Sequence, residues 1–311
     1  MKYDLIIVGA GPAGLSAGIY GVRSGLSTLV LEKAIAGGLV GEAPLIENYP
    51  GLGAVKGMDL VKKLKEHASK YVDIKEFEPV KEIKIGRDIQ VGTEKGEYLT
   101  KAVIIATGTT YRKLGVRGEE KFFGKGVSYC AVCDGFLFKG KKVAVVGGGN
   151  TAVMDAIHLD SLGCDVTLIH RRDKLRAEEY IQKRLSGKVK LCLNSEVKEI
   201  VGNGSVKRIR VWDTKKKSEK ELEVAAVFLS IGWIPNNMLA TKIGVRIDEG
   251  GYVLTDKTQR TNVPRVYVAG DVTGGVKQMV VACSEGAIAA LSAFEDIKSP
   301  YWVKKRVSPP S

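Results

Sequence analysis

The sequence predicts an α/β protein built from two Rossmann-like nucleotide-binding domains, each a three-layer ββα fold, with one domain inserted into the other. Two observations predict the pair: a strand, a glycine-rich turn and a helix open the chain, and the same pattern recurs from residue 143. A third predicts the insertion, because a late apolar run at residues 266–271, VYVAGD, indicates a strand that returns to the first domain. We therefore expect the first domain over residues 1–112 and 241–311, and the inserted domain over residues 113–240.

The N-terminal domain opens with an apolar strand from Leu5 to Val8, followed by the turn GAGPAG and a helix to about Arg23. Glycines in such a turn allow the backbone to approach a pyrophosphate, and the positive end of the helix dipole favours its charge. A second strand, Thr28 to Leu31, ends at Glu32, 23 positions after the first glycine, where a carboxylate can accept ribose hydroxyls. These residues predict a dinucleotide site. The alternative is a glycine-rich turn that only packs the strand against the helix.

The second fingerprint has strands at Val143–Val146 and Val166–Ile169, with the turn GGGNTA at residues 147–152 and a helix over 151–162 between them. At the position that corresponds to the acidic residue of the first fingerprint, this segment carries basic residues, namely His170, Arg171, Arg172 and Arg176. Because guanidinium groups form paired, charge-assisted bonds with phosphate, these residues predict a nucleotide with a 2′-phosphate. A solvated basic loop is the alternative.

Between the two turns lies the sequence CAVCDG, which places Cys130 and Cys133 three positions apart. In a chain with 5 cysteines and no disulfide framework, this spacing indicates redox chemistry, and a buried, inert pair is the alternative. If the pair begins a helix, the helix N-terminus favours a reactive thiolate, and the adjacent Asp134 can exchange a proton with it. The other cysteines have no partner pattern and are interpreted as packing residues: Cys164, Cys192 and Cys283.

Composition argues against several other classes of protein. The chain has 44% hydrophobic residues and no apolar run long enough to span a bilayer, so we expect no membrane segment. The apolar start resembles a signal peptide, but Asp4 stands in the wrong place for one and the glycine-rich turn explains the residues that follow, so we expect a cytoplasmic location. The net charge of +13 is carried by dispersed lysines, as in the amphipathic segment at 60–71, and no nucleic-acid-binding motif accompanies them. No second cysteine pair or histidine pair completes a zinc site, so we expect no metal. The last eight residues, KKRVSPPS, are typical of a frayed end.

Seven short motifs are distributed along nearly the whole chain. They are GAGPAG at 9–14, ENYPG at 47–51, IIATG at 104–108, CAVCDG at 130–135, GGGNTA at 147–152, HRRDKLRA at 170–177 and VAGDV at 268–272. In these motifs and their order the chain resembles the low-molecular-weight thioredoxin reductases, which are FAD- and NAD(P)-linked disulfide oxidoreductases. The resemblance implies an NADPH-dependent enzyme that reduces the disulfide of thioredoxin or a thioredoxin-like protein and acts as a homodimer. A related flavin disulfide reductase with another electron donor or protein acceptor is the alternative.

The resemblance also implies a role for individual residues. Cys133 would face the flavin, Cys130 would exchange with the protein disulfide, and Asp134 would be the acid. FAD would be bound by residues of the N-terminal domain: Gly9, Gly11, Pro12, Ala13, Gly14, Glu32, Gly38, Asn48, Val80, Thr107, Gly108, Gly270, Asp271, Lys277, Gln278 and Met279. NADPH would be bound by residues of the inserted domain: Gly147, Gly149, Asn150, Thr151, His170, Arg171, Arg172 and Arg176.

The chain departs from the family pattern at a few positions. Leu39 stands where the family usually has a glutamine, and residues 277–279 read Lys-Gln-Met in place of Arg-Gln-Ala, so we expect an altered flavin environment. Lys125 and Leu137 replace an arginine and an aromatic residue that resemble partner-contact positions. The cognate thioredoxin is therefore expected to differ from the usual one.

Overall fold

The computed structural model describes residues 2–43, 46–185 and 187–300, so the predicted frayed end lies outside the described residues. The chain divides into two compact units. We call Met1–Thr110 with Ile234–Ser311 unit 1, and Tyr111–Trp233 unit 2. Each unit contains parallel strands and helices, which confirms the predicted α/β class.

The elements are numbered in chain order. The first stretch of unit 1 contains β1 (Lys2–Val8), α1 (Pro12–Arg23), β2 (Thr28–Leu31), α2 (Gly57–Ala68), β3 (Asp73–Lys75), β4 (Val80–Lys84), β5 (Ile89–Thr93), β6 (Gly96–Ile105) and β7 (Thr109–Tyr111). There follow β8 (Val127–Ser128), α3 (Ala131–Asp134), β9 (Lys142–Val146), α4 (Asn150–Ser161), β10 (Asp165–Ile169), α5 (Glu179–Gln182), β11 (Lys190–Cys192), β12 (Ser195–Asn203), β13 (Ser205–Asp213), β14 (Ser218–Glu223) and β15 (Ala226–Leu229). The chain ends with β16 (Trp233–Pro235), α6 (Met238–Lys242), β17 (Val266–Val268) and α7 (Met279–Lys298).

The main sheet of unit 1 has the strand order β3-β2-β1-β6-β5-β4, and β17 also pairs with β6. The long β6 serves two partners, because residues 96–100 pair antiparallel with β5 while residues 103–105 pair in parallel with β17. Strand β1 pairs in parallel with β2 and with β6. The predicted strand at 28–31 is β2, and the late strand predicted at 266–271 is β17, which ends three residues earlier.

The central strand of unit 1 supplies side chains to two apolar cores. Leu5 and Ile7 pack in one core with residues of α1 and α7, whereas Ile6 and Val8 pack in the other with residues of β5, β6 and α6. Alternate side chains of a strand point to opposite faces, so an unbroken apolar run fits a sheet that is covered on both sides. The buried side chains hold the strands in place, and the residues of the candidate site follow the carboxyl ends of these strands.

Unit 2 has a fully parallel sheet in the order β11-β10-β9-β15-β8. Val145 of β9 packs with α4 on one face, and Val146 packs with β12 and β13 on the other. The second face is covered by the antiparallel sheet β12-β13-β14. Two sheets and a helix layer give the predicted ββα arrangement, and the predicted helix over 151–162 is α4.

Helix α2 bears out the interpretation of the dispersed lysines as a solvated helix face. Leu60, Val61 and Ala68 of this helix are buried, whereas Lys62 and Lys63 are exposed. In the described part of the chain, no helix is long and apolar enough to cross a bilayer.

Candidate functional site

The carboxyl ends of four strands meet at one edge of the sheet of unit 1. Val8 is in register with Leu31 and with Ile105, and Ile105 is in register with Val268. The segments that follow these strands are therefore neighbours: the turn at 9–14, Glu32, Thr107 with Gly108, and Gly270 with Asp271. Open α/β sheets bind their ligands at this edge. The structure thus brings together most of the residues predicted to bind FAD.

The turn after β1 leaves the first amides of α1 available to a ligand. The helix starts after Gly11 with Pro12 in its first turn, and no side chain caps it, so its first N–H groups have no partner within the helix. A Cβ on Gly14 would lie 1.8 Å from the carbonyl oxygen of Gly9, whereas a Cβ on Gly11 would meet no atom within 4 Å. The turn therefore has no free space between Gly14 and Gly9, whereas the space beside Gly11 is open. A pyrophosphate fits this space.

Glu32 supports the same turn from the end of β2. Its Oε2 accepts the amide hydrogen of Ala10 at 2.7 Å, and its Oε1 accepts that of Ala34 at 3.0 Å. Each carboxylate oxygen has further lone-pair capacity, so Glu32 can still accept a ribose hydroxyl. Gly38 lies against the turn as well, since a Cβ on it would be 3.3 Å from Cα of Gly11.

Two half-buried carboxyl groups lie here: Asp271 in the segment between β17 and α7, and Glu285 in α7 itself. Glu285 of α7 accepts the amide hydrogen of Gly270 at 2.7 Å and the hydroxyl of Thr273 at 3.2 Å. Burial raises the pKa of Asp271 and that of Glu285 above their ordinary values. A Cβ on Gly270 would lie 3.0 Å from Cβ of Ala13, so this segment packs on the first turn of α1. Polar atoms of a ligand in the turn are therefore within the reach of this segment.

The start of α7 brings two further predicted residues together. Nδ2 of Asn48 donates a hydrogen bond to Oε1 of Gln278 at 3.0 Å. Gln278 precedes Met279, the first residue of the helix, and no side chain caps this helix N-terminus. The ammonium of Lys277 lies 4.6 Å from the centre of the Tyr252 ring. The start of α7 thus presents free amide groups beside the predicted flavin residues.

Thr107 and Gly108 are held by a residue that the sequence did not single out. The Thr107 hydroxyl donates to the backbone carbonyl of Asn236 at 2.7 Å, and the backbone N–H of Asn236 donates to the backbone carbonyl of Gly108 at 3.0 Å. Val80 is the first residue of β4, which lies at the far edge of the sheet order from β1.

The second glycine turn, in unit 2, follows β9 as the first follows β1. Helix α4 starts after Gly149 with no side-chain cap, and a Cβ on Gly149 would meet no atom within 4 Å. The carbonyl of Gly148 accepts the backbone N–H of Arg176 at 2.6 Å. Asn150 and Glu178 exchange two hydrogen bonds, each 2.9 Å long. The basic segment therefore folds back over the turn, and Thr151 lies exposed in the first turn of α4.

The basic residues predicted to bind the 2′-phosphate divide into two groups. Arg171, Arg172 and Arg176 are exposed, beside the turn. His170 is only 5% exposed, and a Cβ on Gly148 would lie 2.2 Å from its ring, so the imidazole packs directly on the turn. Burial lowers the pKa of His170, and the nearby arginines lower it further. The structure thus places the imidazole beneath the turn and the three guanidinium groups at the surface.

Cys130 and Cys133 form a disulfide with a Cα–Cα distance of 5.3 Å. Cys130 is the N-cap of α3, and the backbone N–H of Cys133 donates to Sγ of Cys130 at 3.2 Å. The pair thus begins a helix, which is the condition that the sequence analysis set for a reactive thiolate. Cys133 is exposed, and the apolar side chains of Val132 and Phe136 beside it are exposed as well. Of the other cysteines, Cys164 and Cys192 are buried and Cys283 is half-buried.

Asp134 carries the ionisable group next to this disulfide. Its Oδ2 accepts the hydroxyl hydrogen of Ser128 at 2.6 Å, and its Oδ1 is buried without a hydrogen-bond partner among the described residues. Burial raises the pKa of this carboxyl, which the hydrogen bond from Ser128 partly offsets. A carboxyl in this environment can hold a proton at higher pH than an exposed one.

Sequence reasoning missed three residues that hold the site together. Ser128 contacts Asp134, Glu285 contacts Gly270, and Asn236 contacts Thr107. Ser128 could have been noticed, since it lies two positions before Cys130 and serines frequently cap helix starts. Glu285 and Asn236 act over a long sequence distance and give no local signal.

Comparison with known proteins gives consistent matches. The profile of the family described as "Pyridine nucleotide-disulphide oxidoreductase" matches residues 3–286. The chain is 43% identical over 300 residues to the thioredoxin reductase of Bacillus subtilis (strain 168), covering 93% of each protein. It is 42% identical over 297 residues to the 34.2 kDa protein in rubredoxin operon of Clostridium pasteurianum, covering 94% of this chain and 96% of that protein.

A solved structure supports the fold. The crystal structure of thioredoxin reductase from Streptococcus pyogenes MGAS5005 has a TM-score of 0.90 and 38% sequence identity, covering 96% of this chain and 99% of that chain. This similarity over nearly the full length confirms the predicted fold class.

Proposed function

The chain belongs to the thioredoxin reductases of the pyridine nucleotide-disulphide oxidoreductase family, and on that premise we propose that it is an NADPH-dependent thioredoxin-disulfide reductase containing FAD. The observation that carries the proposal is the position of the Cys130–Cys133 disulfide. It follows the carboxyl end of β8, in the same parallel sheet that bears the second glycine turn. A redox pair and a nucleotide site thus share one unit.

FAD is assigned to the discontinuous domain predicted over residues 1–112 and 241–311. The open space beside Gly11 and the uncapped start of α1 fit a pyrophosphate, and Glu32 fits a ribose. Asp271 fits a ribityl chain, because its segment packs on the first turn of α1. The uncapped start of α7 offers amide groups next to Asn48 and Gln278.

NADPH is assigned to the inserted domain, over residues 113–240. Gly149 and the uncapped start of α4 fit its pyrophosphate, and the exposed arginines at 171, 172 and 176 fit its 2′-phosphate. His170 supports this site from beneath the turn. When bound, the flavin supplies two-electron chemistry, which links hydride oxidation of the nicotinamide to disulfide reduction.

The two cysteines then act in sequence. Uptake of two electrons breaks the Cys130–Cys133 bond, and Asp134 donates a proton to one of the two sulfurs. The Cys130 thiolate attacks one sulfur of the partner disulfide, and the second partner sulfur leaves as a thiolate. Cys133 returns its proton to Asp134 and attacks Sγ of Cys130, which re-forms the internal disulfide and releases the reduced partner. The exposed residues beside the pair, Val132 and Phe136, make this end of the unit accessible to another protein.

We further propose that the enzyme acts on thioredoxin or a thioredoxin-like protein, as a homodimer in the cytoplasm. The relatives named thioredoxin reductase support the partner, and a reducing compartment suits a disulfide that is opened in each turnover. The substitutions at Lys125 and Leu137 favour a partner with a modified contact surface.

The experiment is an anaerobic titration of the purified protein with NADPH, followed by addition of an oxidised thioredoxin. We expect a yellow protein whose flavin is bleached by NADPH and is reoxidised by the thioredoxin disulfide. A flavin that NADPH reduces but thioredoxin does not reoxidise would indicate another acceptor. A flavin that NADPH does not reduce would indicate another donor. A colourless protein with no NADPH oxidation would contradict the proposal.

A further inference from the structure

Ser128 lies between the redox disulfide and its neighbouring carboxyl group. Its hydroxyl is 2.6 Å from Oδ2 of Asp134, 3.0 Å from the backbone nitrogen of Cys130 and 3.3 Å from the carbonyl oxygen of Cys130. The residue is 4% exposed. Three polar groups of the candidate active site therefore surround one buried hydroxyl.

The distances determine how this hydroxyl is used. A serine hydroxyl has one hydrogen to donate, and it can accept through its oxygen. The shortest contact leads to Asp134, which is the charged acceptor and forms the stronger bond, so the hydrogen points to Oδ2. The oxygen accepts the N–H of Cys130. Ser128 thus links the Cys130 backbone to one particular oxygen of the acid.

The hydroxyl is held in place by the parallel sheet. Ser128 ends β8 and is in register with Phe228 of β15, a fully buried residue. The pairing of β15 with β9 extends this support to the centre of unit 2. A regular strand fixes the direction of a side chain better than a loop does. The strand pairing therefore holds the Ser128 hydroxyl in a fixed position beside Asp134 and the disulfide.

The two oxygens of Asp134 are consequently different. Oδ2 is occupied by the serine hydrogen, whereas Oδ1 is buried and has no hydrogen-bond partner in the described residues. A proton on the carboxyl therefore resides on Oδ1. We propose, building on the proposed function, that Ser128 is a positioning residue that holds Asp134 so that Oδ1 is the atom that exchanges the proton during opening and closing of the Cys130–Cys133 disulfide.

Other ionisable groups lie around α3, on α4 and on the segment before β8. On α4, the His158 ring lies 3.8 Å from the position of a Cβ on Gly135, and the Asp155 carboxylate accepts the Ser230 hydroxyl. On the segment before β8, the Glu119 carboxylate accepts the Tyr129 hydroxyl. Among the described residues, the Ser128 hydroxyl is the side-chain group hydrogen-bonded to the Asp134 carboxylate. Its removal should therefore act on that carboxyl first.

The test compares full-length, FAD-loaded wild type with Ser128→Ala, Asp134→Asn and the double variant. Each protein is equilibrated with glutathione redox buffers over a range of pH, and the fraction of open disulfide is read from thiol labelling and mass. The proton uptake that accompanies disulfide opening changes at the pH where Asp134 titrates. Loss of a hydrogen bond to the ionised form moves that pH upwards, because the bond favours the charged carboxylate.

We expect the pH of this change to be higher in Ser128→Ala than in wild type and the change itself to be absent from Asp134→Asn. We also expect NADPH-driven disulfide turnover to fall about tenfold in Ser128→Ala, and no further fall when this change is added to Asp134→Asn. The control is Ser195→Ala, which removes another buried serine hydroxyl of unit 2; among the described residues it bonds to the backbone carbonyl of Leu193 and to the Cys192 thiol.

A pH profile that is identical in Ser128→Ala and wild type would overturn the proposal, as would full additivity with Asp134→Asn. If Ser128→Ala does not fold, Ser128→Thr and Ser128→Val provide the comparison, because they match in size and only threonine keeps the hydroxyl. The redox-buffer measurement needs neither NADPH nor thioredoxin. A protein that fails to reduce thioredoxin but shows the expected pH shift would therefore contradict the proposed function and support the role of Ser128.

Discussion

The Tyr129 hydroxyl donates a 2.6 Å hydrogen bond to the carboxylate of Glu119, a residue that is only 2% exposed. The same carboxylate accepts the backbone N–H groups of residues 114, 115 and 116. Tyr129 also stacks on Tyr111, with ring centres 4.2 Å apart. The residue directly before Cys130 is thus fixed to the first residues of unit 2 by both a polar and an aromatic contact.

We expect Tyr129→Phe to lower the free energy of unfolding of unit 2, because it keeps the stacked ring and deletes a hydrogen bond to a buried carboxylate. Such bonds contribute about 1.5–3 kcal/mol. Urea unfolding of wild type and variant measures the difference. Tyr180→Phe, at an exposed tyrosine of the same unit, is the control and should be neutral. Equal stability of Tyr129→Phe and wild type would show that water replaces the lost bond.

Cys133→Ser should retain bound FAD and its reduction by NADPH, yet abolish turnover with any protein disulfide. The reason is that the flavin passes its electrons to the Cys130–Cys133 disulfide, and a serine hydroxyl at 133 cannot form a disulfide with Cys130. Stopped-flow absorbance of the flavin, followed by a thioredoxin assay, separates the two half-reactions. Cys164→Ser, at a buried cysteine outside the pair, serves as the control. Continued disulfide turnover in Cys133→Ser would contradict the assignment.

The double variant Arg171→Ala, Arg172→Ala should remove the preference for NADPH over NADH. Each guanidinium lost from a phosphate is expected to lower kcat/KM for NADPH roughly 10- to 100-fold, while the value for NADH stays near that of wild type. Steady-state kinetics with both nucleotides measures the effect. Lys215→Ala, Lys216→Ala removes the same charge from the exposed segment between β13 and β14 and should leave the preference intact. A parallel loss with both nucleotides would assign the arginines to support of the turn.

Asp271→Asn should bind FAD more weakly but stabilise the FAD-free protein as the pH rises. Burial raises the pKa of Asp271, so the folded chain binds this proton more tightly than the unfolded chain does. The resulting stability is present below the ordinary carboxyl pKa and is lost as the pH rises through the raised value, and asparagine escapes that loss.

Urea unfolding of FAD-free protein against pH, together with a fluorescence titration with FAD, measures both effects. The exposed Asp73→Asn is the control for loss of a carboxylate in unit 1. A stability difference from wild type that does not change with pH would show that Asp271 titrates normally in the folded protein.

Gly286→Ala should destabilise unit 1 although alanine favours helices. A Cβ at this position would lie 2.0 Å from the backbone oxygen of Ala13, so α7 would have to move away from α1. Forced overpacking of this kind costs about 1–3 kcal/mol. Thermal unfolding of the variant measures it, with the exposed Ser284→Ala on the same helix as the control. A melting temperature equal to that of wild type would mean that the two helices shift apart freely.

The sequence predicted the elements that have strong local patterns. The bounds of β2 match at both ends, and α4 is displaced by one residue, because an apolar run next to glycine marks such elements clearly. The ββα class includes the antiparallel sheet β12-β13-β14, but its individual strands were not located in the sequence, since the exposed strand β14 alternates weakly. The Ala-rich stretch predicts a helix from about 278 to 294, and α7 extends four residues further, to Lys298, because its Ala-rich face is covered by α1.

The site was predicted less evenly than the fold. The Cys130–Cys133 pair and both glycine turns follow from spacing alone. The position of His170 does not, because the face on which a side chain lies at the end of a strand depends on the packing of the turn above it. The contact of Glu285 with Gly270 depends on tertiary packing and had no counterpart in a local pattern, whereas Ser128 lies two positions before Cys130 and could have been noticed.

The division of unit 1 between both ends of the sequence has a consequence for synthesis on the ribosome. Unit 2 leaves the ribosome before β17 and α7 do, although α7 is the helix whose Gly286 rests on Ala13 of α1. At about 5–20 residues per second, roughly 13–55 seconds pass between the synthesis of α1 and that of α7. During this time the face of the first sheet that packs on α7 lacks this helix. The nascent chain therefore exposes an apolar surface, and contact of that surface with other chains has to be prevented until α7 has been made.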